Sequence, residues 1–228
     1  MRIAKFISHS GYCSRRDAEK LIKNKRVCIN NAICLKPNVN VTKSDKIFVD
    51  GKLIKLIEKI RLWKFYKPTN IICTNKDSIQ RKTIFEILPK NIPRVISIGR
   101  LDYMSEGLIL LTNNGDFARK MELPQSNIKR VYKVCIQGNI NKDIINRINL
   151  GITINGINYK KIKVKIETMK KEISWLIFYL TEGKNREIRN ICKFYKLKIN
   201  KLIRIQFGKY KILDTKPGEI KEIYNPSL

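Results

Sequence analysis

Asp102 is the carboxylate of this chain best placed to do chemistry. It lies in Gly99-Arg-Leu-Asp-Tyr-Met-Ser-Glu-Gly107, a turn bounded by two glycines and followed at once by the apolar run 108–111. That run reads as a strand, so the turn holds an acid at the mouth of a sheet, where an acidic nucleophile can be fixed. Arg186 and Arg189, in Glu182-Gly-Lys-Asn-Arg-Glu-Ile-Arg189, stand three apart on a predicted helix and share a face that can turn into one cleft. Arg100, two residues before the acid, suits a phosphate or a strand-edge ion pair. Ser105 and Gly107 are expected to shape the turn, with Gly107 permitting close backbone approach. Glu106 reads as a solvated neighbour and not as a second acid.

Other chemistries lack residues. His9 is the only histidine and reads as a helix-surface residue, and the six cysteines show no C-x-x-C spacing. Ordinary zinc sites and zinc deaminase chemistry are therefore not expected. There is no Gly-x-Gly and no Gly-Lys-Ser/Thr, so dinucleotide and P-loop sites have no support. The expectation is a reaction with no metal and no cofactor. The cysteines read as reduced thiols of a cytoplasmic protein, and neither a signal peptide nor a membrane span is expected.

The elements that must position these groups divide into two modules. In the first, residues 2–10 carry Ile3, Phe6 and Ile7 at helical spacing before Gly11. Ser14-Arg-Arg-Asp17 reads as a capping box for a second helix with Ala18, Leu21 and Ile22 inward. A hairpin follows at 27–33 with Asn30-Asn31 in its turn, then a strand at 46–49 closed by Asp50-Gly51. Residues 52–60 read as a Lys-rich connection. In the second module, strands are expected at 62–66, 108–111, 130–137, 160–167 and 173–181. Helices are expected at 83–88, 117–121 (its start capped or charged by Asp116), 141–148 and 186–195. Strand-rich order with interspersed helices gives an α+β fold: a small helix-helix-sheet module, then a mixed, mostly antiparallel sheet.

Charge points to the partner. Lys+Arg 48 against Asp+Glu 19 leaves a net charge of +29, more than solubility needs. Some of the lysine excess fits an A/T-rich coding sequence, since Ile and Asn are abundant too. Arginine is the better witness, with 14 residues, several inside motifs. Residues 1–60 hold 14 basic and 5 acidic residues and the remainder 34 and 14, so a polyanion can cross both parts.

The run Gly-Arg-Leu-Asp102, two residues, Ser105, one residue, Gly107, then Leu-rich residues and Thr112-Asn-Asn-Gly115 resembles the catalytic motif of the RsuA/RluB family of bacterial rRNA pseudouridine synthases. The segment 182–189 resembles that family's Glu-Gly-basic-x-Arg-x-Ile/Val-Arg/Lys motif. Ser14-Arg-Arg-Asp-Ala-Glu-x-Leu-Ile and Val27-x-Ile-Asn resemble the RNA-binding module named after a small-subunit ribosomal protein, the S-four-like domain. Two departures stand out. The usual Asn-Gly turn is Asn30-Asn31, and the family's Asn-Lys-Pro-x-Gly is here Tyr66-Lys-Pro-Thr-Asn70.

The resemblance implies an S-four-like domain over residues 1–55 and a catalytic domain of the pseudouridine synthase fold over 61–228. It implies that Asp102 is the catalytic carboxylate, with Arg189 as its ion-pair partner and Tyr132 stacking on the target base. Leu202 would cover that base, and Arg100, Lys184 and Arg186 would meet substrate phosphates. Lys5, Arg15, Arg16, Lys23, Arg26 and Lys67 are the expected RNA contacts. The implied reaction breaks the ribose C1′ to base N1 bond of a flipped uridine, turns the uracil, and rejoins it through C5. The substrate would be a ribosomal RNA stem-loop of the large subunit, bound by a monomer, with neither DNA nor membrane as partner. The alternatives are a small-subunit rRNA enzyme and a catalytically idle RNA-binding assembly factor. Joint presence of Asp102, Tyr132 and Arg189 favours the enzyme, since binding alone needs no carboxylate in the cleft. A general DNA-binding protein needs no cleft, and a carboxylate-pair glycosidase lacks its second acid.

Overall fold

The structure is a computed structural model that describes residues 1–170 and 172–226. Helices α1 (Ile3–His9) and α2 (Arg15–Lys23) pack over a four-stranded sheet of β1 (Val27–Ile29), β2 (Ala32–Ile33), β3 (Ile47–Val49) and β4 (Lys52–Ile54), in the order β2-β1-β3-β4. Ile3, Ile7, Ile22, Val27, Ile47 and Val49 are fully buried between them. Ser14 Oγ accepts from the Asp17 N–H at 3.1 Å and starts α2 as its sequence indicates. Asn30 and Asn31 take φ of +49° and +72°, so two asparagines make the left-handed turn that Asn-Gly makes elsewhere. Residues 52–60 are not merely a connection: Lys52–Ile54 folds back over Asp50-Gly51 and pairs with β3 as β4.

The second part is built on a nine-stranded sheet. In chain order it holds β5 (Leu62–Lys67), β6 (Ile96–Ile98), β7 (Glu106–Thr112), α3 (Gly115–Glu122), β8 (Arg130–Gln137), α4 (Lys142–Leu150) and the separate hairpin β9 (Ile152–Ile154) with β10 (Ile157–Tyr159). Then come β11 (Lys163–Met169), β12 (Ile173–Leu180), α5 (Glu187–Phe194), β13 (Lys198–Phe207), β14 (Tyr210–Lys211) and β15 (Ile220–Ile223). The main path runs β11-β12-β8-β13-β7-β5-β15, with β14 on β13 and β6 on β7. Every strand pairing in it is antiparallel except β13 with β7, so the sheet is mixed and mostly antiparallel, as expected.

Burial explains this layout. β7 is apolar on both faces: Leu108 and Leu110 pack with α3, while Ile109 and Leu111 pack with Trp63 and Phe65. On the other side of the parallel seam, alternate residues Val134, Ile136, Leu176, Phe178 and Leu202 form one core with α4 and α5. The β13–β7 seam thus joins two cores, and strand ends at such a seam leave room for a cleft.

Four local expectations are corrected. Residues 83–88 form only a single 3-10 turn, Phe85–Ile87, because the Ile84 N–H donates to the Ile72 carbonyl at 2.9 Å and holds the segment to another loop. The strand expected at 160–167 starts at Lys163, since the N–H groups before it are turned elsewhere: that of Lys160 donates to Glu182 Oε1 at 2.9 Å and that of Ile162 to the Ile148 carbonyl at 3.4 Å. Of the two roles expected for Asp116, the cap falls to Asn114, which accepts from the N–H groups of Asp116 and Phe117, while Asp116 does charge the first turn of α3. Arg186 lies outside the helix expected at 186–195; it heads α5 with φ +53°. Among the described residues no helix is long and apolar enough to cross a membrane.

Candidate active site

A cleft of about 1410 Å³ opens along the seam, lined by residues from the Asp102 turn, β8, β13 and the 182–189 segment. The turn that carries Asp102 is pinned from three sides. The Ser105 N–H donates to the Asp102 carbonyl at 3.0 Å. The Asn70 N–H donates to the Tyr103 carbonyl at 2.9 Å, with Asn70 at φ +61°, a left-handed backbone that asparagine tolerates and glycine, the usual residue of the pattern, takes freely. Gly107, at φ +104°, lies where a Cβ would come within 2.4 Å of the Arg204 carbonyl oxygen; no side chain fits there.

The third restraint is Lys67, which the sequence reading places at the RNA surface. It is fully buried. Its Nζ donates to the carbonyls of Ser105 at 2.7 Å, Pro68 at 2.8 Å and Tyr103 at 3.4 Å. Burial lowers its pKa to about 8. Lys67 therefore pegs the Asp102 turn from below and has no surface to offer RNA. Glu106 is likewise not simply solvated, because the Tyr66 hydroxyl donates to its Oε2 at 3.1 Å. Burial first, and Glu106 second, raise the Tyr66 pKa to about 12.

Two guanidinium groups converge on the acid. Arg189 Nε lies 3.4 Å and Arg186 Nη1 3.6 Å from Asp102 Oδ2. Arg189 Nη2 also donates to Ser105 Oγ at 3.0 Å, and Ser105 is itself buried. Arg189 Nε makes no well-aligned hydrogen bond, so the 3.4 Å approach is an ion pair without a directed bond. Burial lowers the Arg189 pKa while Asp102 opposes that shift. Asp102 keeps a third of its side chain open to the cleft.

Tyr132, half-buried on β8, and Leu202, 5% exposed on β13, both line the cleft, and Leu202 belongs to the core as well. Arg100 is exposed at the mouth and forms no ion pair among the described residues. Lys184, expected on a phosphate, is occupied within the chain: its Nζ donates to the Asn158 carbonyl and pairs with Glu182 Oε2 at 3.3 Å. In the first module, Arg15, Arg16 and Lys23 are exposed, as an RNA face requires. Arg26 instead makes a two-pronged pair with Asp50 at 2.6 and 2.7 Å, and Lys5 pairs with Asp116 at 2.8 Å, tying α1 to α3.

Glu187 occupies an unspecified position of the 182–189 motif, so nothing in the sequence marks it. It is 3% exposed, accepts from the Lys184 N–H at 3.2 Å, and leaves Oε1 buried without a partner. Burial and the neighbouring Glu182 raise its pKa to about 7. A carboxyl raised in this way supports the fold while protonated; that support is full below the ordinary range near 4.5 and is lost as pH rises through about 7. Glu187→Gln is therefore expected to match wild-type melting at pH 5 and to exceed it at pH 8, as thermal melts across that range would show. A difference independent of pH would contradict this.

A mixed sheet with one parallel seam, and a cleft in which a carboxylate lies beside two arginines with a tyrosine in the same lining, is the arrangement that the motif resemblance to pseudouridine synthases leads one to expect. Comparison with known proteins agrees. The model of the RNA pseudouridylate synthase family matches residues 61–194, and that of the S4 domain matches residues 1–47. An uncharacterized RNA pseudouridine synthase of Rickettsia typhi is 51% identical over all of this chain and 93% of its own length. The ribosomal large subunit pseudouridine synthase B of Bacillus subtilis is 33% identical over 97% of this chain and 91% of its own. A crystal structure of a pseudouridylate synthase shares the fold, with a TM-score of 0.68 at 23% identity, covering 98% of this chain and 96% of that one. The chain belongs to the RNA pseudouridylate synthase family and isomerises uridine to pseudouridine in RNA.

Proposed function

We propose that the substrate is one uridine of large-subunit ribosomal RNA, flipped from a stem-loop into the cleft, with Asp102 as the reacting carboxylate. The observation that carries this is the convergence of Arg186 and Arg189 on Asp102 in a cleft that also holds Tyr132. The large-subunit assignment draws support from the Bacillus subtilis relative. In this reading residues 1–55 dock the RNA and residues 61–228 carry out the reaction, in a cytoplasmic monomer during ribosome biogenesis. Tyr132 gives the uracil an aromatic face, Leu202 covers it, and Arg100 and Arg186 take flanking phosphates. Arg189 and Ser105 orient the carboxylate toward the sugar, so the reaction draws on positioning and electrostatics.

The test is nucleotide-resolution pseudouridine mapping after purified protein acts on unmodified small- and large-subunit rRNA in parallel. The expected result is one new site, in the large-subunit RNA only. A site in small-subunit RNA would move the substrate, and no site in either RNA or in assembling particles would favour an idle RNA-binding factor.

Arg15 and Arg16 stand exposed in the first turn of α2, where cations oppose the helix dipole. Their replacement by Ala together is expected to weaken RNA binding and to reduce the slope of log affinity against log salt by roughly 1–2. The single-turnover rate of saturated enzyme should stay near wild type. Filter binding over a salt series checks this, and an unchanged slope would remove both residues from the RNA face.

A further inference from the structure

Arg204 is a buried cation of the cleft with no anionic partner among the described residues. It is 2% exposed, and its guanidinium stacks on Phe207 at 5.1 Å from the ring centroid. Its Nε donates to the Leu108 carbonyl at 2.7 Å, while Nη2 is buried without a hydrogen-bond partner. No salt bridge to it occurs among the described residues. A guanidinium buried without an anion is costly, and such groups persist where a partner arrives.

Its position says where. Arg204 pairs across the β13–β8 ladder with Tyr132, so both side chains leave the same face of the sheet, and Leu202 lies two residues earlier on that face. All three line the cleft with Asp102. The main chain of Arg204 pairs with Gly107, the residue whose missing Cβ lets β13 approach β7. The turn bearing Asp102 and the strand bearing Arg204 are thereby locked together. Lys67 and Arg130 are the neighbouring cations and Cys73 the neighbouring thiol.

We propose that Arg204 is a further catalytic residue, whose guanidinium binds a carbonyl oxygen of the target uracil and stabilises the charge that collects on the ring. The inference rests on the reading of this cleft as the uridine site. When the C1′ to N1 bond breaks, its electron pair leaves with N1 and spreads onto the ring oxygens. The sugar is meanwhile bonded at C1′ to the Asp102 carboxylate, or has lent its C2′ proton to it. The pair then returns to C1′ from C5, the sugar releases or recovers what it shared with Asp102, the C5 proton leaves to solvent, and N1 takes up a proton from solvent. A cation fixed in advance in a site shielded from water stabilises the ring anion without reorganisation.

Two variants test this on the full chain with a substrate stem-loop. Arg204→Met fills similar space and removes an unpaired buried charge, so it should melt at or above the wild-type temperature. Its RNA affinity should stay within about threefold, while single-turnover isomerisation falls by about 10²–10³-fold. Arg204→Lys keeps a cation in an apolar setting that depresses its pKa, so it should recover part of the rate and lose it again as pH rises, where the wild-type rate does not. Arg204→Met isomerising near the wild-type rate, or slowing only in proportion to lost folding, would overturn the proposal. If Arg204→Met fails to fold, the Arg204→Lys profile decides: a descending limb absent from wild type supports the role, and a wild-type profile overturns it. An inactive wild type on every RNA would instead count against the uridine reading itself.

Discussion

Asp102→Asn is expected to slow uridine isomerisation by at least about 10⁴-fold, the scale of loss when a reacting nucleophile is removed. Asparagine keeps the shape of the side chain and the turn restraints, because Lys67, Asn70 and the Ser105 N–H bind main-chain carbonyls and not the carboxylate. What is lost is the anionic oxygen facing Arg186 and Arg189. RNA affinity should hold or tighten slightly, since one negative charge leaves a cleft that meets a polyanion. Quench-flow isomerisation and equilibrium binding on the same stem-loop separate the two effects. Near wild-type turnover would remove Asp102 from the reaction.

Arg189→Met is expected to cost about 10²–10³-fold in single-turnover rate, comparable to the loss of one preorganised electrostatic contact. Arg189 has two tasks, the 3.4 Å ion pair with Asp102 and the 3.0 Å hydrogen bond to Ser105 Oγ, and methionine performs neither. Arg186 stays within 3.6 Å of the acid, so the carboxylate keeps one partner and activity should not vanish. Stability should change little, because Arg189 is a partly desolvated cation whose burial opposes its charge. Arg186→Met is the informative contrast: half its side chain is exposed, and its effect should be the smaller. Equal losses in the two variants would contradict the assigned geometry.

The parts of this molecule legible in its sequence are those with local periodicity or a motif. The strand 130–137 is read to the residue, and the Asn30-Asn31 turn is legible because asparagine tolerates positive φ. β13 is not legible as a strand, since irregularities between Ile199 and Lys201 and between Arg204 and Gln206 break its alternation. Lys67 was misplaced for a different reason: a lysine after a strand reads as surface, and only tertiary packing brings three carbonyls around its Nζ. Lys5 and Arg26 illustrate the same limit, because sequence shows a charge but not Asp116 or Asp50 beside it. Arg204 leaves a trace, an arginine two residues after Leu202 and flanked by Ile203 and Ile205.

The most direct measurement is tritium release from ribosomal RNA transcribed with 5-tritiated uridine, because pseudouridine formation expels the C5 hydrogen of the target base. Wild-type protein is predicted to release label from one uridine per large-subunit RNA and then stop, while Asp102→Asn releases none above background. Release by Asp102→Asn at the wild-type rate, with both proteins folded and binding RNA equally, would contradict the central role given to this carboxylate.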